Sequence, residues 1–249
     1  MEFTAVSAVL DGIPNMTRDR ARRVYDHLAA TDSLDVLELG TAHGVSACYM
    51  AAAVEERSGS VTTVDHVVAT RLRDPQPDEV IDRCGLGDHV ERVLVADSSY
   101  TWWLGDQIDA NTADGTCWPA YDFVYIDGAH NWTIDGFSFF LVDKLLRPGG
   151  WLLLDDLAWS YGASGSSFGP GQGPDALGLS AAERADPHMR RVFDLLIAQH
   201  PGYSNFRIED EDWAWAHKRP DGRRSVERVT TVARTRRARG ALRRAFARA

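Results

Sequence analysis

No apolar run in the 249-residue sequence approaches the ~20 residues that a membrane-spanning helix requires. The first residues, Met-Glu-Phe-Thr-Ala-Val, carry neither the basic nor the apolar region of a secretory signal, so the cytoplasm is the expected compartment. Cysteine is scarce. Three scattered residues (Cys48, Cys84, Cys117) disfavour a disulfide framework or a zinc site. Repeats and heptads are missing, which argues against solenoids and coiled coils. Positive charge is missing where a nucleic acid would need it. Residues 1–217 hold 15 Lys/Arg against 34 acids, a balance of −19, and the basic excess is confined to residues 218–249, with 12 against two. That tail, residues 219–249, reads as an appendage, a solvated or self-docking helix on an acidic body.

What is present is an α/β pattern of a size suited to one large domain. Two apolar runs, Phe123–Ile126 and Trp151–Leu154, end abruptly in acids: Asp127, with His130 just beyond it, and Asp155-Asp156. Runs of this length bounded by turn residues read as buried parallel strands. Between them, about 137–146, Phe137, Phe140, Leu141 and Leu145 recur at helical spacing, and Pro148-Gly149-Gly150 ends the pattern. A right-handed strand–helix–strand unit puts both strand ends on one sheet edge, where ligands of open α/β sheets bind. Three carboxylates and an imidazole thus converge. Like charges gathered in one place call for a cation or a chemical task.

Earlier in the chain, residues 17–30 form an amphipathic helix with Thr17 as its cap, part of a helical segment 1–33. Strand Val36–Leu39 runs into Glu38-Leu-Gly40-Thr41-Ala-His-Gly44 and an Ala-rich helix that begins near Ser46. The glycines let the backbone approach a ligand, and the helix N-terminus offers free N–H groups. Strand Val61–Val64 ends at Asp65, 27 residues after Glu38, where doubly wound folds bind ribose hydroxyls. Strand Val90–Val95 is followed by Asp97-Ser98 and the pair Trp102-Trp103, for which core packing is the leading use. Residues 157–187, rich in Gly, Ser and Pro, read as a lid over the acids, with Tyr161, Phe168 and Gln172 suited to contacting an acceptor. Residues 188–199 read as a helix with Met189, Val192, Phe193, Leu196 and Ile197 inward, and Phe206–Ile208 with Trp213–Ala216 as a closing hairpin.

In their joint order over about residues 20–217, these motifs resemble the class I S-adenosylmethionine-dependent methyltransferases. Glu38-Leu-Gly40-Thr-Ala-His-Gly44 is similar to that family's first motif, Asp65 to its ribose-binding acid, Asp97-Ser98 to the adenine-side motif, and Leu146–Gly150 to the turn before strand five. The resemblance implies a Rossmann-like, doubly wound, mostly parallel seven-stranded sheet with an antiparallel C-terminal hairpin, spanning residues 34–218. It implies a cofactor site of Glu38, Gly40, Thr41, Gly44, Ser46, Asp65, Asp97, Ser98 and Asp127. Ile126-Asp-Gly-Ala-His130-Asn-Trp132 with Asp155-Asp156 further resembles the metal-dependent O-methyltransferases of macrolide sugars and the cephalosporin-hydroxylase-like proteins. Those relatives imply Mg²⁺ on Asp127, Asp155 and Asp156, with His130 as base. Asp155 departs from their pattern, since Glu or His is usual there. A likeness to enzymes that methylate mycobacterial methylmannose oligosaccharides is also suggestive.

The chemistry agrees with the resemblance. A sugar hydroxyl holds its proton at neutral pH, a hard cation on carboxylates lowers its pKa, and an imidazole accepts the proton. The expected protein is therefore a Mg²⁺- and S-adenosylmethionine-dependent O-methyltransferase acting on a sugar or a small sugar-containing molecule, its expected partners being that acceptor and a second copy of the chain. Alternatives are a phenolic or polyketide acceptor, a nicotinamide oxidoreductase, or an inactive cofactor-binding protein. Against the oxidoreductase stands Gly40-Thr-Ala-His-Gly44 in place of Gly-x-Gly-x-x-Gly. A nucleic-acid methyltransferase is disfavoured by the acidic body and by the lack of an Asn/Asp-Pro-Pro-Tyr run.

Overall fold

A computed structural model describes residues 1–71, 73–163 and 173–221. Seven strands, β1 (Asp35–Leu39), β2 (Ser60–His66), β3 (Val90–Val95), β4 (Tyr121–Ile126), β5 (Leu146–Leu154), β6 (Tyr203–Glu209) and β7 (Trp213–Lys218), form one sheet in the order β3-β2-β1-β4-β5-β7-β6. The first five are parallel, β7 runs antiparallel to β5, and β6 antiparallel to β7. This is the Rossmann-like sheet with a closing antiparallel hairpin that the resemblance implies. The order reverses between β1 and β4, and that reversal opens the crevice used by ligands of such sheets.

Helices cover both faces. On one, α1 (Phe3–Val9), α2 (Arg18–Ala30), α3 (Val45–Val54) and α4 (Pro77–Cys84) share an apolar cluster with Val36, Phe123, Tyr125 and Trp215. The N-terminal segment is thereby part of the main core. Thr17 caps α2, its Oγ1 accepting from Arg20 N at 3.3 Å. On the other face, α5 (Tyr100–Ala110) and α6 (Trp132–Leu145) pack with a helical segment, His188–Arg191, that continues as a π-helical turn, Val192–Ile197. Because both faces are covered, every residue of Phe123–Ile126 is fully buried.

Four local expectations change. Helix α6 begins at Trp132, not near 137, and the face it buries carries Asp135, Ser138, Phe139, Val142 and Leu145, leaving Phe137 and Phe140 exposed. Leu146–Gly150 belongs to β5 instead of forming a turn, with an irregularity opposite Tyr121–Phe123. Leu196 is only partly buried, because the π-helical turn rotates it off the inward face. Trp102 points to solvent while Trp103 packs against the core. Phe168 and Gln172 of the expected lid, and the tail from residue 222, lie outside the described residues. No helix among the described residues is long and apolar enough to cross a membrane.

Candidate active site

The carboxyl ends of β2, β1, β4 and β5 are stitched together by the residues that directly follow β1, β4 and β5. Gly40 N donates to Val64 O, Asp127 N to Leu39 O and Asp155 N to Ile126 O, at 2.8–3.1 Å. The edge therefore carries Asp65, the glycine turn, Asp127 and Asp155-Asp156 in lateral succession, as the sequence predicts.

The turn between β1 and α3 is held from below and from the side. Glu38, fully buried in β1, accepts from Ser46 Oγ through one oxygen and from Thr63 Oγ1 at 2.5 Å through the other, and Thr41 Oγ1 meets Thr63 Oγ1 at 2.7 Å. Asp65 accepts from Thr41 N and Ala42 N at 3.2 and 3.1 Å on one oxygen and from His66 N at 2.7 Å on the other. His43, in the same turn, bonds Asn15 from the loop before α2. Gly40 (φ +103°), Ala42 (φ +46°) and Gly44 (φ +80°) are left-handed, and Gly44 is the N-cap of α3, with no side-chain cap on the helix's first N–H groups. Asp97 and Ser98 sit exposed beyond β3, where Asp97 O pairs with His66 Nε2 at 3.0 Å. Asp97 and Ser98 thus adjoin Asp65 on the same edge.

Burial pushes the Glu38 carboxyl up to about 8, despite its two hydroxyl partners. The folded chain holds this proton where the unfolded chain releases it near 4.5. The stability Glu38 contributes is thus fully present below about pH 4.5 and is lost as pH rises through about 8. Glu38→Gln removes the ionisation while keeping the shape. We expect its stability relative to the native chain to rise by about 3–5 kcal/mol between pH 4.5 and 8 in urea titrations, and a flat difference would mean that Glu38 ionises normally.

The second half of the site is an acid–imidazole cluster. His130 Nε2 lies 3.2 Å from both Asp127 Oδ1 and Asp156 Oδ2. Burial alone would lower the imidazole; the hydrogen bond that its Nε2–H donates to Asp127 and the charges of Asp127 and Asp156 outweigh it, and His130 is raised to about 9. His130 (φ +51°) and Asp156 (φ +57°) are both left-handed without being glycine, a conformation that His and Asp adopt more readily than most residues. Asp155 is turned away from His130. Its Oδ1 accepts from Arg20 Nη1 at 2.9 Å and Asp156 N at 2.6 Å, and its Oδ2 from Tyr125 Oη at 2.5 Å. Burial and the neighbouring charges of Asp127 and Asp156 push Asp155 up to about 7, with Tyr125 and Arg20 opposing. Asp212, from the β6–β7 turn, takes the other arm of Arg20 at 2.5 Å.

Ligand atoms of Asp127, His130 and Asp156 lie within 4.8 Å of one another, and so do those of Asp155, Asp156 and Asp212. This donor set, mostly hard oxygen with one imidazole, suits a divalent cation of the Mg²⁺ or Mn²⁺ kind. Trp159 stands against the His130 ring at a centroid distance of 5.2 Å, and Tyr161 packs edge-on to Trp159 and donates to Ala129 O at 3.2 Å. Beside it a cleft of about 320 Å³ is lined by Asn131, Trp132, Glu183, Asp186, His188 and Arg191, among others. Arg20, Asp212 and Tyr125 were not singled out from the sequence. The two bonds Arg20 makes span 135 and 192 residues, so no local pattern marks them.

Residues 37–157 match the family model described as a methyltransferase domain. Among solved structures, the chain is similar to an O-methyltransferase from Bacillus cereus in complex with SAH (18% identity, 88% of this chain and 92% of that one, TM-score 0.60). It is also similar to the O-methyltransferase TomG from Streptomyces achromogenes, involved in tomaymycin synthesis and in complex with SAM (17%, 88% and 91%, 0.58). A third is a putative caffeoyl-CoA O-methyltransferase from Staphylococcus aureus (18%, 88% and 92%, 0.59). No curated protein matches the sequence. The chain has the Rossmann-like fold of these methyltransferases, and its residues 37–157 are similar to the methyltransferase-domain model.

Proposed function

We propose that this chain is an S-adenosylmethionine-dependent, Mg²⁺-dependent O-methyltransferase acting on a hydroxyl of a sugar or a sugar-containing small molecule. The observation that carries it is the adjacency of two halves: the glycine turn rests directly on the backbone of Asp127, from which the acid–imidazole cluster begins. The cofactor supplies a sulfonium methyl for a hydroxyl oxygen. Gly40, Thr41, Gly44 and Ser46 form its cradle, with Asp65 and Asp97-Ser98 along the ribose and adenine side. Glu38 serves that cradle from below, through Ser46 and Thr63. A divalent cation held by Asp127 and Asp156, with Asp155 beside them, would supply positive charge next to the acceptor hydroxyl. His130 takes the hydroxyl proton at Nε2. Positioning of donor and acceptor on a rigid edge can contribute on the order of 7–11 kcal/mol of the barrier.

The polar lining of the neighbouring cleft, where the Arg191 guanidinium stands over the Trp132 ring, supports a sugar acceptor. The aromatic packing of Trp159 and Tyr161 at His130 supports a phenolic acceptor as the second reading. An acceptor screen with labelled cofactor, setting mono- and oligosaccharides against phenols, separates the two. A chelator is expected to abolish turnover and Mg²⁺ to restore it; full turnover in EDTA would remove the cation from the mechanism.

A further inference from the structure

We propose that Arg20 is the resident cation of the acid cluster, seated between Asp155 and Asp212 so that a divalent ion binds only on the Asp127–Asp156 side. The inference rests on the reading above for the ion itself, but concerns a residue of the N-terminal helix α2. Four carboxylates, Asp127, Asp155, Asp156 and Asp212, crowd two overlapping groups that share Asp156. One group already holds a positive charge. Arg20 Nη1 bonds Asp155 at 2.9 Å and Nη2 bonds Asp212 at 2.5 Å, a two-armed bridge between the end of β5 and the β6–β7 turn. The guanidinium is fixed from behind by the Trp213 ring, its Cζ 5.0 Å from the centroid.

The bridge also has consequences for neighbouring backbone. Asp212 accepts from Ala158 N at 3.0 Å through its second oxygen, and its carbonyl accepts from Leu157 N at 3.0 Å. Asp155 in turn holds Asp156 N, and Asp156 is the left-handed residue that faces His130. Arg20 thus acts through Asp155 and Asp212 as a positioning residue. It sets the Asp155–Ala158 segment and keeps Asp155 out of the ion's coordination. A metal ion in the same seat would have to displace a charge tethered to the fold, whereas the Asp127–Asp156 side is guarded only by the imidazole of His130.

The test is calorimetric titration of the full chain with MnCl₂, comparing native protein, Arg20→Met and Arg20→Lys. The expected result is one ion for the native chain and for Arg20→Lys, and for Arg20→Met either a second ion or a single ion bound at least tenfold more tightly. If the native chain binds no ion while Arg20→Met binds one, the cation-dependent reading fails and Arg20 stands as the resident charge. If native and Arg20→Met bind alike, or neither binds, the proposal for Arg20 is overturned. A second ion in Arg20→Lys overturns it too, because the charge is retained there. Should Arg20→Met be unfolded by circular dichroism, Mn²⁺ is expected to restore the fold by taking the vacated seat, and no recovery counts against the proposal. Asp212→Asn gives an independent check on the native background. Ion affinity is expected to stay within threefold, and a tenfold loss would place the ion where the guanidinium sits.

Discussion

Gly40→Ala is expected to be the most destabilising Gly→Ala change among the described residues, costing more than about 4 kcal/mol or preventing folding. Two separate penalties combine. Gly40 sits at φ +103°, outside the range that an L side chain adopts without strain. A Cβ placed there would stand 1.9 Å from Asp127 O and 2.7 Å from Asp127 C, both backbone atoms that cannot rotate away. Relief would require β1 and β4 to part at their carboxyl ends, breaking the bond from Asp127 N to Leu39 O at 2.9 Å. The turn and the acid cluster would separate together. If a folded fraction survives, it should lose cofactor binding by calorimetry and ion binding in the same sample. A Gly44→Ala control has the same sign of φ (+80°) but meets only Pro77, at 3.4 Å and beyond, so it should fold with a loss of about 1–2 kcal/mol. Equal unfolding midpoints for the two variants in urea would show that backbone contact at Gly40 is not what matters.

The parts of this architecture that were legible in the sequence are those in which polarity changes sharply over a few residues. Phe123–Ile126 stops at Asp127 and Leu152–Leu154 stops at Asp155, and the fold places both stops on one edge. The parts that were not legible involve polar groups buried by distant partners. Phe137, Phe140, Leu141 and Leu145 look like the apolar stripe of α6, but of these only Leu145 is fully buried, Leu141 is partly so, and both Phe are exposed. The buried face instead carries Asp135, held by Tyr100 Oη and by Asn131 N at 2.7 Å, together with Ser138, which bonds Ile134 O at 2.8 Å. A periodicity that counts carboxylates as outward cannot find such a face. Arg20 is the same case at longer range. Its charge on an amphipathic helix looks solvated, and only the fold shows that it reaches two acids 135 and 192 residues further along the chain. Asp65 shows the converse. Its position at the end of β2 was legible, but its bonds to Thr41 N, Ala42 N and His66 N give it a second task, shaping the very turn that would cradle a cofactor.

His130→Ala is expected to lower turnover by roughly 10²–10⁴-fold while leaving cofactor affinity nearly unchanged. The argument turns on which of two roles the imidazole fills, since its Nε2 is placed for either. As a ligand it would share an ion with Asp127 and Asp156, whose oxygens lie with it inside 4.8 Å. As a base it must be free of its proton when the hydroxyl arrives. In the chain as it stands, two carboxylate oxygens at 3.2 Å raise it to about 9, so at neutral pH it carries the proton and serves as their counter-charge. Positive charge taken up by Asp127 and Asp156 from another source would weaken that hold and return the imidazole toward its ordinary range, where it can accept a proton. The base reading therefore expects His130→Ala to bind Mn²⁺ as well as the native chain or better, because a competing cation has been removed from the two carboxylates. The ligand reading expects Mn²⁺ affinity to fall at least tenfold along with turnover. His130→Gln separates the roles further: an amide keeps a polar contact to Asp127 but has no titrating nitrogen, so turnover should stay low even where ion binding is native. Turnover within threefold of native in both variants would take His130 out of the chemistry altogether, leaving it as the group that holds Asp127 and Asp156 together in the absence of an ion.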